Sequence, residues 1–256
     1  MCICQPVADD LWVVAGDLGL ARFEDKLSDS WPKGYNNDHA ALRATSAFHR
    51  VTQQAAAKTG AVVALLDVGP NLGAINRSAL IAADFLVIPL AADLFSLQGL
   101  KNLDPTVQEW RRQWTRMRDY AQVQFSLPAG QMEPAGYVVL QHAVRLDRPV
   151  RAFRRWLDRI PTAYREMVLG QPAVAVPFDE PDEHCLATLR NYRSLMSMAQ
   201  EARKPMFDLR PADGAIGSHA QLVQTCRVEL EQLAERIAQR CGLVRAGDQR
   251  SSWAGG

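Results

Sequence analysis

From Ala61 to Asn71 the chain reads AVVALLDVGPN, an unbroken apolar run closed by one carboxylate and a Gly-Pro turn. Apolar residues that do not alternate with polar ones describe a strand buried on both faces. An acid at the carboxyl end of such a strand sits at the sheet edge where α/β proteins collect ligands. There a single carboxylate holds Mg²⁺ mainly through water, and the phosphates of a nucleotide supply the other ligands. Asp67 is thus the first candidate for metal and nucleotide binding, the other reading being an acid that caps its own turn. Asn71 and Asn76 lie in the turn and the helix that follows, where an amide could meet a γ-phosphate or a partner subunit, or simply stabilise the turn.

The chemistry that should accompany Asp67 is absent from these residues. A phosphate loop of the form G-x-x-x-x-G-K-[ST] needs glycines that let the backbone wrap the phosphates, a lysine for their charge and a hydroxyl for the metal. None of the 16 glycines is followed by lysine. Asp84 and Asp93 flank the next apolar run and read as capping or turn acids, with Asp93 near the ligand edge as the alternative. Pro177, Phe178 and Asp179 follow a later apolar run and form either one wall of a base pocket or a plain strand-to-helix connection. The histidines are dispersed, and no order of Ser, His and Asp or of Cys and His suggests a nucleophile with its base.

Basic density is the other chemical signal. Arg111, Arg112, Arg116 and Arg118 run beside Trp110 and Trp114. From Arg145 to Arg159 six arginines (Arg145, Arg148, Arg151, Arg154, Arg155 and Arg159) face Asp147 and Asp158, a local balance of +4. Such a stretch suits DNA phosphates without base specificity. It equally suits a solvated helix face whose arginine stems cover apolar surface.

Positioning these residues requires a sheet. Short apolar runs bounded by Gly, Pro or Asp alternate with amphipathic stretches, the pattern of βαβ units. Strands are predicted at Leu11–Ala15, Ala61–Asp67, Phe85–Leu90, Gly136–Leu140 and Ala173–Val176. Helices are predicted at Leu18–Ser28, His39–Thr59, Ala74–Ala83, a broken pair from Ser96 to Val123 with Pro105 starting its second part, Val150–Leu169, Cys185–Arg203 and Gly217–Cys241. The fold class is α/β: a doubly wound, mostly parallel sheet with helices on both faces. One domain over residues 1–244 and a disordered tail over 245–256 are expected.

At 256 residues, 48% hydrophobic and 22% charged, the chain is long enough for a full core, and a net charge of +1 argues against a basic nucleic-acid coat or an acidic disordered protein. Cys2, Cys4, Cys185, Cys226 and Cys241 are odd in number and lack zinc-ligand spacing, so free thiols in a reducing cytoplasm are expected. No run approaches the about 18 apolar residues of a membrane span, so a cytoplasmic protein without membrane contact is expected.

The segment 61–100 resembles the Walker-B half of the ParA/MinD-type partition ATPases. The acid and Pro-containing turn read Asp67 to Pro70, the helix ends in Ala82-Ala83-Asp84, the strand Phe85–Pro89 ends in proline, and Phe95-Ser96 with Gly99-Leu100 follows. Weaker agreements continue in order: Leu11–Leu27, Gly136–Val139, Val176–Asp179, then Lys204–Phe207 with Asp213-Gly214-Ala215. The resemblance implies a P-loop NTPase-like fold, ATP and Mg²⁺ as cofactors, Asp67 as the metal acid, Pro177–Asp179 beside the base, and a dimerising switch that positions DNA or protein cargo. It also implies that the first βαβ unit with its phosphate loop, at least about 30 residues, is missing here. Little or no ATP turnover and weak cofactor binding are then expected of the chain alone. Partners implied are a second copy, a full-length ParA-like protein or non-specific DNA. The alternative is a non-enzymatic interaction or DNA-binding module derived from such an ATPase. Because the missing strand is central in these sheets, its loss leaves neighbouring strands unpaired.

Overall fold

The computed structural model describes residues 4–69, 71–140, 151–172, 181–192 and 194–243. Its chain contacts divide it into two compact units, one of Met1–Leu86 with Asn102–Glu133, the other of Val87–Lys101 with Pro134–Gly256.

The first unit opens with a hairpin, β1 (Gln5–Ala8) antiparallel to β2 (Leu11–Val13). The predicted strand at Leu11 therefore exists, but as half of a small exposed ribbon. Asp17 accepts from the Gly19 amide at 2.6 Å and so starts a 3-10 turn, Leu18–Arg22. Then come α1 (Phe23–Gly34), α2 (His39–Thr45), α3 (Ala47–Thr59) and α4 (Ala74–Ile81). The Asp38 carboxylate caps α2 through the Ala41 amide at 2.9 Å, and Gly60, at φ 77°, ends α3 in the left-handed conformation.

The predicted strand Ala61–Asp67 is corrected by the structure. Residues 61–69 hold no regular secondary structure, and Val62 and Leu65 are 91% and 88% exposed. The reason is that a strand is completed only by neighbours: the run has the composition of a central strand, and among the described residues none pairs with it.

β3 (Phe85–Ala91) follows, then α5 (Leu94–Tyr120). In place of the expected broken pair, α5 runs continuously through Pro105. From Val107 onward it buries Val107, Trp110, Trp114 and Met117, spaced three or four residues apart, in the core of the first unit. Trp114 is fully buried, stacks on Trp31 at 6.2 Å between centroids, and donates its indole N–H to the Pro128 carbonyl at 2.9 Å. Arg111 and Arg118 donate to the carbonyls of Met132 and Ala129, each at 2.6 Å, so these arginines fasten the loop that follows the helix.

In the second unit β3, β4 (Glu133–Leu140) and β5 (Cys185–Leu189) form a parallel sheet of order β3-β4-β5. β4 is its buried member, and β5 is registered on it from Tyr137 opposite Cys185 to Leu140 opposite Leu189. Helices α6 (Arg151–Leu157), α7 (Ile160–Val168), α8 (Ser194–Ala202) and α9 (Ser218–Arg240) belong to the same unit. The expected helix Cys185–Arg203 is corrected: its first five residues are β5, because pairing with β4 overrides a weak local preference. Gly136, at φ 150°, lets the two strands approach, since a Cβ there would stand 2.6 Å from the His184 carbonyl oxygen. The expected strand Ala173–Val176 lies outside the described residues, as does the tail from residue 245.

Gly130 adopts φ 68°, and a Cβ at this position would stand 2.3 Å from Cδ1 of Trp114. Gly130→Ala should therefore combine backbone strain with a clash on the central tryptophan, lowering stability by about 2–3 kcal/mol. Urea unfolding followed by tryptophan fluorescence checks this.

Candidate functional site

The first unit places Asp67 three residues before Pro70 and seven before α4. Its side chain is exposed and takes part in no hydrogen bond or ion pair among the described residues. The turn beyond it is tightly fixed. Buried Asn76 sends its Nδ2 to the carbonyls of Gly69 and Asn71, both at 2.7 Å, and the Asn71 Oδ1 accepts from the Gly73 amide at 3.1 Å. Both asparagines therefore serve the turn in this structure, the plainer of their two readings.

The start of α4 is equally committed. Glu24 of α1 accepts from the amides of Ala74 and Ile75 at 2.5 and 2.9 Å, placing a carboxylate where the helix dipole and unpaired N–H groups favour an anion. Glu24 lies fifty residues upstream in sequence, so no local spacing announced it. An ATP phosphate would find those amides already occupied. Among the described residues no three His, Cys, Asp or Glu side chains converge as metal ligands. Asp67 thus fits as one water-mediated Mg²⁺ contact, while the turn beside it does not fit as a phosphate cradle.

Asp93 accepts from the Ser96 amide at 2.7 Å, and Ser96 Oγ accepts from the Ala91 amide at 3.0 Å, which makes Asp93 a capping acid at the start of α5. Pro177, Phe178 and Asp179 lie outside the described residues, as do Arg145 and Arg148. Arg151 begins α6. Arg154 pairs with Asp158 at 3.4 Å on an exposed face, and the guanidinium groups of Arg155 and Arg159 lie over Trp156 at 5.2 and 5.3 Å from its centroid. Stems and cations on an aromatic are the arrangement of a solvated helix face.

The second unit contains a polar centre that sequence order did not reveal. Asp182, its side chain 3% exposed, accepts from Tyr137 Oη at 2.5 Å, from Arg165 Nη2 at 2.6 Å and from the His184 amide at 3.2 Å. It ties β4, α7 and the entry to β5 together. Burial alone would push the Asp182 carboxyl up, but the hydrogen bonds from Tyr137, Arg165 and the His184 amide outweigh it and hold the group below the usual carboxylate range. Burial likewise pushes the Cys185 thiol up, which keeps it protonated and unreactive. Tyr164 packs between Tyr137 and His184 at 5.0 and 5.5 Å, and burial pushes its hydroxyl up to about 12.

Residues 2–118 match the model of a family described as an AAA domain. A protein IncC of Escherichia coli is 30% identical over 104 residues, 41% of this chain and 28% of that protein. Over residues 2–118, a little under half of the chain, the sequence is thus similar to ParA-like AAA proteins. A second Escherichia coli protein IncC is 32% identical over 56 residues, 22% of this chain and 16% of its own length. The crystal structure of protein DIP2308 from Corynebacterium diphtheriae superposes with a TM-score of 0.52 at 17% identity, covering 90% of this chain and 65% of that one, which shows the α/β fold. The chain thus spans less than a third of either curated relative and less than two thirds of the solved chain. No helix among the described residues is long and apolar enough to cross a membrane.

Two outcomes follow from the fixed groups. Glu24→Ala should cost about 1–2 kcal/mol by uncapping α4, with hydrogen exchange accelerating at Ala74 and Ile75. Because the folded-state value of Asp182 is depressed, its contribution is present above about pH 4, the unfolded value, and is lost as pH falls through the folded one. Asp182→Asn should lower the urea midpoint at pH 7 and flatten its decline in acid, measured by unfolding at a series of pH values.

Proposed function

We propose that this chain is a ParA-like partition ATPase homologue, of a family in which ATP and Mg²⁺ drive dimerisation and thereby position DNA or protein cargo. The observation that carries the reading is the AAA-domain match over residues 2–118, within which Asp67, its turn, α4, β3 and the start of α5 follow one another in the family's order. When bound, Mg²⁺ would offset phosphate charge, and Asp67 is the residue that would hold it through water. The site contributes that carboxylate, followed by a turn that Asn76 holds through the carbonyls of Gly69 and Asn71.

Within the 256 residues there is no G-x-x-x-x-G-K-[ST], and the α4 amides are spent on Glu24. A phosphate loop must then come from outside these residues, and a loop-bearing ParA-like protein is the partner that fits the reading. Purified alone with ATP and Mg²⁺, it should turn over ATP no faster than its Asp67→Ala variant does. In sedimentation with a loop-bearing ParA-like protein, it should bind in ATP–Mg²⁺ and release in ADP. Turnover by the isolated chain that Asp67→Ala abolishes, or indifference of binding to the nucleotide, would refute the proposal.

A further inference from the structure

Apart from the Asp67 turn, helices α1, α4 and α5 gather arginines and aromatic rings on one face of the first unit. Trp31 of α1, stacked on Trp114, carries the guanidinium of Arg77 of α4 at 4.1 Å from its ring centroid, and the Trp110 ring of α5 lies 5.8 Å from the same group. Arg116 of α5 lies over the ring of Tyr35, just past α1, at 5.9 Å, and Tyr35 is itself 41% exposed. Arg116 also borders a shallow depression of about 460 Å³ shared with Arg111, Arg112, Thr115, Asp119 and Tyr120.

These arginines differ in what they already hold. Arg112 pairs with Glu109 at 2.6 Å and Arg118 with Asp119 at 3.3 Å, while Arg111 donates to the Met132 carbonyl and keeps a buried Nε without a partner. Arg77 and Arg116 enter no hydrogen bond or ion pair among the described residues. Arg77 is also half-buried, and burial weighs against its charge more than Glu24 and Tyr35 favour it. Rings cover the faces of a guanidinium and leave its in-plane N–H donors open, a fork that matches a carboxylate. A desolvated cation of this kind gains most from an anion supplied from outside.

The flanking charges select the anion. Glu109 and Asp119 stand ten residues apart on α5, about 15 Å at the helical rise, and bound the basic face at both ends. A nucleic-acid duplex, with a charge about every 1.7 Å along its axis, would run onto both acids. A short run of carboxylates fits between them. We propose that this face docks a short acidic segment of a partner protein, whose carboxylates engage Arg77 and Arg116.

The experiment titrates the full chain, without nucleotide, with fluorescein-labelled hexaglutamate and follows anisotropy at low salt, so its outcome is independent of the ATP reading. Binding should saturate and should shift the Nε–H resonances of Arg77 and Arg116 in NMR spectra. Arg77→Gln and Arg116→Gln should each weaken it roughly tenfold. Arg22→Gln, the same loss of charge on the 3-10 turn, should leave it unchanged. Arg116 is exposed, so Arg116→Gln keeps the fold and decides the matter even where Arg77→Gln loosens the Trp31 stack, with circular dichroism as the check. Absence of saturable binding, or an equal loss in Arg22→Gln, would overturn the proposal. So would a short DNA duplex that binds more tightly than hexaglutamate and loses its affinity in Arg116→Gln.

Discussion

The amides and carbonyls of a β-strand can be satisfied only by other strands, and this requirement organises the whole chain. Where it is met, in β3-β4-β5, the strands become a core: Tyr137 and Val139 of β4 are fully buried, and α7 packs Ile160 and Tyr164 into the same cluster. Where it is not met, from Ala61 to Val68, residues of the same composition lie open to solvent. The difference between the two runs is one of neighbours, since their hydrophobicity is alike.

The same requirement decides what Asp67 can do. A carboxylate gains affinity for Mg²⁺ when a strand end holds it rigidly and a nucleotide fills the remaining coordination positions. Here the rigid element is the turn after the acid, locked by Asn76, while the segment before it is unpaired. The first-turn amides of α4, an anion site by geometry, carry the Glu24 carboxylate instead of a phosphate. Charge neutralisation at that helix is thus internal, which stabilises the contact of α1 with α4 and leaves Asp67 as the one acid of the turn region facing water.

Much of this was legible in the sequence, and the reasons differ by element. α4, β3, β4 and α9 were readable because their periodicity and bounding Gly, Pro or Asp residues are local signals. β5 was misread because Cys185–Leu189 acquires its strand character from pairing with β4, which no window of sequence contains. The continuous course of α5 was hidden by Pro105, whose local penalty is outweighed by the buried row from Val107 to Met117. Asp67, Asn71 and Asn76 stood out by their place after the apolar run, and the structure puts both asparagines in the turn that follows the acid. Glu24 and the Asp182 centre were not, because their partners stand fifty residues away in the first case and forty-five in the second.

Long-range polar contacts of this kind also explain how each unit keeps its order. Asp182 gathers donors from β4, α7 and the entry to β5, so removing its charge would strand Arg165 in a nearly closed environment, a heavier loss than any exposed ion pair on α6 can represent. In the first unit the equivalent burden falls on aromatic packing, with Trp31 and Trp114 stacked and each indole N–H bonded, to Gln113 and to the Pro128 carbonyl. Neither device extends to residues 61–69. At its two ends that run meets the unit's order, through the Gly60 cap of α3 and the Asn76 amide on Gly69, while Val62 and Leu65 between them stand in solvent for want of neighbouring strands.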